Sequence, residues 1–537
     1  MDQLKRKNNS GFSTVEIMIA LAIMTLVLTA VIVVIFSNQT FSIDSETNNE
    51  AMKLAQGLLE EQQALARKDF NLVNSSDDPI IDGIYTKNIN VNTISDSDYL
   101  TKEVVATITW KNERGMDKTL ELTTLISNFD SPVGGNTCDS DLMNNITSLP
   151  EDWTSPEIEN SETDFAKLIG QDPLSKTYTI TDVDAYGGYL YVTAGQTTGI
   201  NDDTLFIFDV SDGENIEFLD SIDNASNVFY GLNTVRVAEN PASNPIKTYA
   251  YAGSNTRSDY STCSPNDPLT GKACSQLYIF DVSDPDSPSL QANLKLSSTP
   301  NITGQTQVNT LFYKNNYVFL GLGATTGPEF NIVDVHNPED IPSGIYPVAG
   351  SFETQVGINA LNVRNSFAYL GLANTSTPST TEQELRILNV SSLSNPFPGD
   401  SLPYYGFNSD FGAGHGKSIA LVGDKLYLSK TSPNTGFDLH ILDNSNPASV
   451  LDELGGVDVV TSVNGVIVRD YLSFLLTNSE LKIFRTDDPS DISSWGDVSL
   501  PVSGSATEPS MDCEGNRIYI SSNDATGKGA IFIIKPE

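Results

Sequence analysis

The chain has 537 residues, of which 39% are hydrophobic and 18% charged, with 38 glycines, 26 prolines and 20 tyrosines. That length exceeds one ordinary domain, and the composition excludes a disordered or coiled-coil chain in favour of a turn-rich, mainly β protein. Thirty basic residues stand against 69 acidic ones, a net charge of −39, which repels a phosphate backbone and excludes nucleic acid as a partner.

Residues 1–11 place Lys5, Arg6 and Lys7 against Asp2 and end at Gly11. From Phe12 to Phe36 the sequence is apolar, and Glu16 is its single formal charge. The run predicts a helix of about 37 Å, enough for a hydrocarbon core of about 30 Å. With the basic residues on one side, the expectation is a single pass through the cytoplasmic membrane, N-terminus inside, and export of everything beyond Phe36. A secretory signal would put its cleavage site after the apolar run; here Gly11 precedes the run and a carboxylate lies within it.

Gly11-Phe12-Ser13-Thr14-Val15-Glu16, continued by Ile17 to Met24, resembles the type IV prepilin signal of pilins and pseudopilins. The resemblance implies cleavage between Gly11 and Phe12 by a prepilin peptidase and methylation of the new amino terminus. It also implies that Glu16 pairs with the amino terminus of a neighbouring pilin subunit in a filament. The expected final location is the cell surface or an extracellular filament.

Beyond Phe36, Met52, Leu54, Ala55, Leu58, Leu59, Ala64 and Leu65 recur at helical spacing, so the helix is predicted to run to about Arg67. Ser75 to Pro79 breaks it. Alternation in Val104–Trp110 and Thr119–Ile126 predicts two strands joined by the turn Glu113–Asp117, with Trp110 as a core aromatic. A long helix followed by a small antiparallel sheet is similar to the layout of minor pilins and type II secretion pseudopilins. The expected division is a leader over 1–11, a transmembrane and pilin helix over 12–70, a small β domain over 71–128 and a linker over 129–164.

Residues 165–537 carry a repeat. Leu205-Phe-Ile-Phe-Asp209-Val-Ser-Asp212 recurs as Leu277-Tyr-Ile-Phe-Asp281-Val-Ser-Asp-Pro285, Phe330-Asn-Ile-Val-Asp334 and Leu385-Arg-Ile-Leu-Asn389. It diverges in Leu439–Asp443, Leu481–Arg485 and Ile531–Lys535. Each copy follows a Tyr/Phe-rich strand such as Tyr189-Leu-Tyr-Val192. Seven units of about 50 residues with about four short strands each predict a seven-bladed β-propeller. The strand-Asp-Val-Ser-Asp-Pro unit resembles the LVIVD repeat of surface-exposed propellers. Phe165–Ile169 is expected to be the outer strand that completes the last unit and closes the circle. The Asp of each unit is expected to cap the turn that follows it.

The four cysteines, Cys138, Cys263, Cys274 and Cys513, sit in a segment expected to be exported. Cys263 and Cys274 share the insertion of the second unit and are expected to form a short-loop bridge; Cys138 and Cys513 are then left to each other. Only three histidines occur, no CxxC is present, and no twelve-residue calcium loop is formed. No cofactor is expected; calcium in the acidic loops is the one metal considered. Gly412-Ala-Gly-His415-Gly-Lys417-Ser418 misses the phosphate-loop spacing by one residue. No catalytic set stands out, although the mouth of a propeller could gather aspartates that spacing does not reveal. The leading expectation is a minor pilin or pseudopilin, not an enzyme, that displays the propeller as an adhesion or recognition head for an extracellular ligand. The alternatives are a membrane-tethered enzyme with activity in the propeller funnel and a type II secretion pseudopilin.

Overall fold

The computed structural model describes residues 14–68, 80–94, 99–111, 115–132, 150–171, 177–195, 204–222, 231–240, 243, 246–255, 275–296, 307–325, 327–373, 383–399, 404–408, 415–431, 436–469, 471–502 and 509–537. The chain divides into two compact units, 1–128 and 129–537, and the fold is mainly β, consistent with a propeller-like domain.

In the smaller unit, helix α1 runs from Thr14 to Lys68, and no proline interrupts it. Four strands, Ile80–Asp82, Tyr85–Ile94, Tyr99–Lys111 and Asp117–Pro132, form one sheet in chain order. Ala51, Ala55 and Leu58, one face of α1, are buried against Val104, Ala106, Ile108 and Trp110, alternate residues of one strand. The helical and two-residue periods thus meet in a single core. Tyr85 lies 6.0 Å from the Trp110 ring and its hydroxyl donates to Glu50 at 2.9 Å.

Among the described residues, no helix is long and apolar enough to cross a membrane, which overturns the expected single-pass anchor. The apolar segment is not a separate spanning element. It is the first part of α1, continuous with the rest of that helix.

Among the described residues, the larger unit contains seven sheets. The first is made of Thr179–Tyr186, Tyr189–Gly195, Leu205–Asp209 and Glu217–Ile222, in that order and antiparallel. The others open on Leu232–Asn240, Val308–Lys314, Ile358–Arg364, Gly416–Val422, Gly465–Arg469 and Ser510–Glu514. These first strands touch one another in sequence order, and the seventh touches the first. The quoted repeat is the third strand of each sheet. Several hairpins between first and second strands turn on residues with positive φ, among them Gly187-Gly188 and Asn315-Asn316, the backbone that two-residue hairpin turns require.

The strand that completes the seventh sheet is Glu157–Glu162, antiparallel to Gly529–Lys535, and not Phe165–Ile169. Part of the segment expected to be a linker is therefore an ordered edge strand. Its polar sequence, Glu-Ile-Glu-Asn-Ser-Glu, hides the strand pattern. Phe165–Leu168 forms the short helix α2, and Phe165, Ala166 and Ile169 pack into the core of the first sheet.

The repeat aspartates cap their turns. Asp209 Oδ1 accepts from the Ser211 amide at 2.9 Å and its hydroxyl at 2.6 Å, and Asp281 does the same with Ser283 at 3.1 and 2.7 Å. Where the sixth sheet has Arg485 instead, a two-pronged pair to Asp487 at 2.8 and 2.9 Å occupies the same place. These turns press on the preceding sheet at glycines: a Cβ on Gly350 would collide with the Leu393 carbonyl, and one on Gly455 with the Pro489 carbonyl.

Candidate functional site

The first strands of all seven sheets line one cavity of about 210 Å³. Five of them enter it through a β-bulge at the same point. The extra residues are Thr181, Asn233, Asn309, Asn359 and Lys417, and all five line the cavity, with Asn464 and Pro509 from the remaining two strands. A bulge turns a side chain out of the ladder. Three of these side chains tie one sheet to the next. Thr181 donates to the Leu232 carbonyl at 2.8 Å, Asn233 to Val308 at 2.9 Å and Asn309 to Ile358 at 3.1 Å. The acceptor is each time the residue just before the next strand's bulge.

One side of the cavity holds a buried charge cluster. Arg236 reaches Asp182 at 3.2 Å and Asp184 at 3.5 Å. Asp182 also accepts from the Thr234 hydroxyl at 2.8 Å, the Val235 amide at 3.0 Å and the Ser510 hydroxyl. Asp184 accepts from the Val237 amide at 2.6 Å, and Asp512 from the Ala185 amide at 2.7 Å. The carboxylates therefore link the seventh, first and second sheets in a row. Burial, and then the charge of Asp512, push the Asp184 carboxyl well above the usual range against the pull of Arg236. Burial pushes Asp512 up to about 6. Among the described residues no group of three His, Cys, Asp or Glu has the arrangement of a metal site.

Asp182 lines the cavity, with Asp184 and Asp512 buried behind it, a grouping that spacing alone does not reveal. The bulge residues were missed although a signal existed: Leu232-Asn-Thr-Val235, Val308-Asn-Thr-Leu311, Ile358-Asn-Ala-Leu361 and Val463-Asn-Gly-Val466 repeat an apolar-Asn-small-apolar pattern. Lys417 and Ser418, part of the failed phosphate-loop match, are cavity-lining residues of a first strand. Of the other expected sites, Gly11 and Phe12 lie outside the described residues and Glu16 is in the first turn of α1. Cys513 is buried and disulfide-bonded; Cys138, Cys263 and Cys274 lie outside the described residues.

No family model matches the chain, and no curated protein matches it. Among solved structures, the N-terminal domain of Nup159 is 10% identical with a TM-score of 0.37, covering 71% of this chain and 95% of its own. The AfRom2 CNH domain is 6% identical with a TM-score of 0.35, covering 71% and 99%. PorZ, a surface component of the type-IX secretion system of Porphyromonas gingivalis, is 10% identical with a TM-score of 0.39, covering 85% of this chain and 62% of its own. Likeness at this level carries no argument about function.

Proposed function

We propose that the chain is a pilin-like subunit in which α1 packs with the helices of other subunits and the larger unit, a closed seven-bladed β-propeller, is a recognition head. The observation that carries this reading is the division of labour along α1. Ala51, Ala55 and Leu58 are buried on the small sheet, whereas Met18, Leu21, Met24, Leu26 and Leu28 are exposed, Met24 at 70% and Leu28 at 56%. Apolar residues in a continuous exposed stretch mark a surface meant for a partner, and burying each contributes roughly 1.5–3 kcal/mol. A filament of parallel helices offers such a surface, and the Gly11-Phe12 junction with Glu16 is the sequence pattern that goes with one. The propeller reading is supported by the contact of the seventh first strand with the first and by the completion of the last sheet with Glu157–Glu162.

The test is association of the full chain by sedimentation, wild type against the doubly substituted Met24→Asp, Leu28→Asp protein. Wild type should associate and the variant should stay monomeric; association of both to the same degree overturns the reading. In cells holding a prepilin peptidase, the mass of the mature chain should place its first residue at Phe12.

A further inference from the structure

We infer that the cavity among the seven first strands binds one neutral sugar ring; the inference rests on the larger unit being a recognition head and names its ligand. Size comes first: about 210 Å³ is below the roughly 300–1,000 Å³ of pockets that hold drug-sized molecules, so one ring fits and an oligosaccharide or peptide does not. The lining is the second argument. Side-chain amides and hydroxyls dominate it, with Asn233, Asn359, Thr310 and Ser418 among them, groups that donate to and accept from sugar hydroxyls. Phe312, 8% exposed, adds an apolar residue to the same lining.

Charge narrows the class further. The carboxylate that lines the cavity, Asp182, is already paired with Arg236 at 3.2 Å, so it does not select a cation. Arg236 and Lys417 also line the cavity, with Arg236 engaged by Asp182 and Asp184, while the chain's net charge of −39 disfavours the approach of sialylated or sulfated ligands. The amides are also held in place before any ligand arrives. Asn233 and Asn309 each donate one amide hydrogen to the next sheet, and Asn309 Oδ1 accepts from Gln307 at 2.8 Å, an arrangement that fixes these side chains and lowers the entropy lost on binding.

The experiment uses the full chain on immobilised oligosaccharides ending in galactose, glucose, mannose or N-acetylglucosamine, each beside its sialylated counterpart where one exists. At least one neutral terminus should be bound, its sialylated form more weakly, and the methyl glycoside of that sugar should compete. Asn359→Trp, which fills the mouth, should weaken binding at least tenfold, and Asn359→Leu, which keeps the volume and removes the amide, should do so without changing the thermal midpoint. No binding to any neutral terminus, or equal binding by both variants and wild type, overturns the inference. Sedimentation of the same variants separates the two readings: association retained with sugar binding lost supports the cavity as the site, whereas wild-type association by the α1 double variant refutes the subunit reading and leaves the sugar result standing.

Discussion

Removing one charge from the ion pair between the fourth and fifth sheets should be among the most damaging single changes in the larger unit. Lys430 Nζ lies 3.0 Å from Glu384 Oε1, and the two side chains are 1% and 2% exposed. Lys430 ends the second strand of the fifth sheet and Glu384 directly precedes the third strand of the fourth. Lys430→Met leaves a carboxylate in a dry interface, and stranding one member of a buried pair costs about 3–5 kcal/mol. With a urea slope of about 2–3 kcal/mol/M, the unfolding midpoint should fall by about 1–2 M. The doubly substituted Glu384→Leu, Lys430→Met protein removes both charges of this pair and should return to within about 1 kcal/mol of wild type. A single variant that loses less than about 1 kcal/mol, or a double variant as weak as the single one, would refute the reasoning.

Asp512 binds its proton more tightly in the fold, at about 6 against 3.8 for the free carboxyl, so its contribution is fully present below 3.8 and is lost as pH rises through about 6. Asp512→Asn, which keeps an acceptor for the Ala185 amide, should remove that part of the pH dependence between pH 5 and 7.5. It should also be more stable at pH 7.5 by on the order of 2–3 kcal/mol, read from urea curves at both pH values. Deleting Glu157–Glu162 should expose the edge of Gly529–Lys535 and raise hydrogen exchange throughout the seventh sheet, whereas deletion of an exposed loop of equal length should not. Gly455→Val should lower the thermal midpoint by several degrees, because the Pro489 carbonyl occupies the space a side chain needs; an unchanged midpoint would show that the turn can yield.

The elements most legible in the sequence are those in which a local period and burial agree. The third strands carry three to five apolar residues, and four of the seven end in a turn-capping Asp, at 209, 281, 334 and 443, so the first copies are recognisable by themselves and the later ones only by their place in the repeat. The closing strand was placed wrongly for the converse reason: Glu157–Glu162 lies at a sheet edge, and its pairing with Gly529–Lys535 gives no apolar signal in its own sequence. Phe165 and Ile169 attracted the strand reading because they are apolar, but their spacing of four suits a helical turn, which is what buries them. The cavity is a product of register. Asp182, Arg236 and Ser510 are far apart in the chain and meet because the same bulge, or its absence, sets the height of each first strand.

That dependence on register bears on how the proposed propeller closes. The hydrogen bonds between Asn523 and Ile180, 2.7 and 2.8 Å long, join residues 343 apart in sequence, and closing a flexible chain of that length costs about 5 kcal/mol on the logarithmic scaling of loop entropy. No single tie, at roughly 0.5–1.5 kcal/mol, offsets this, so closure has to be distributed. Glu514 accepts from the Gly187 and Gly188 amides at 2.6 and 2.9 Å, Asp512 from Ala185, and Glu159 from Arg517 at 2.7 Å, while Glu157–Glu162 adds a full ladder. These ties use carboxylates against backbone amides or guanidinium, contacts that demand one fixed height of the seventh sheet against the first. Apolar packing alone would tolerate sliding. The acidic clasp at the seam therefore holds Ser510 and Asp182 at the level of the other cavity residues, so in the proposed propeller the groups that join the seventh sheet to the first would also set the register of the cavity.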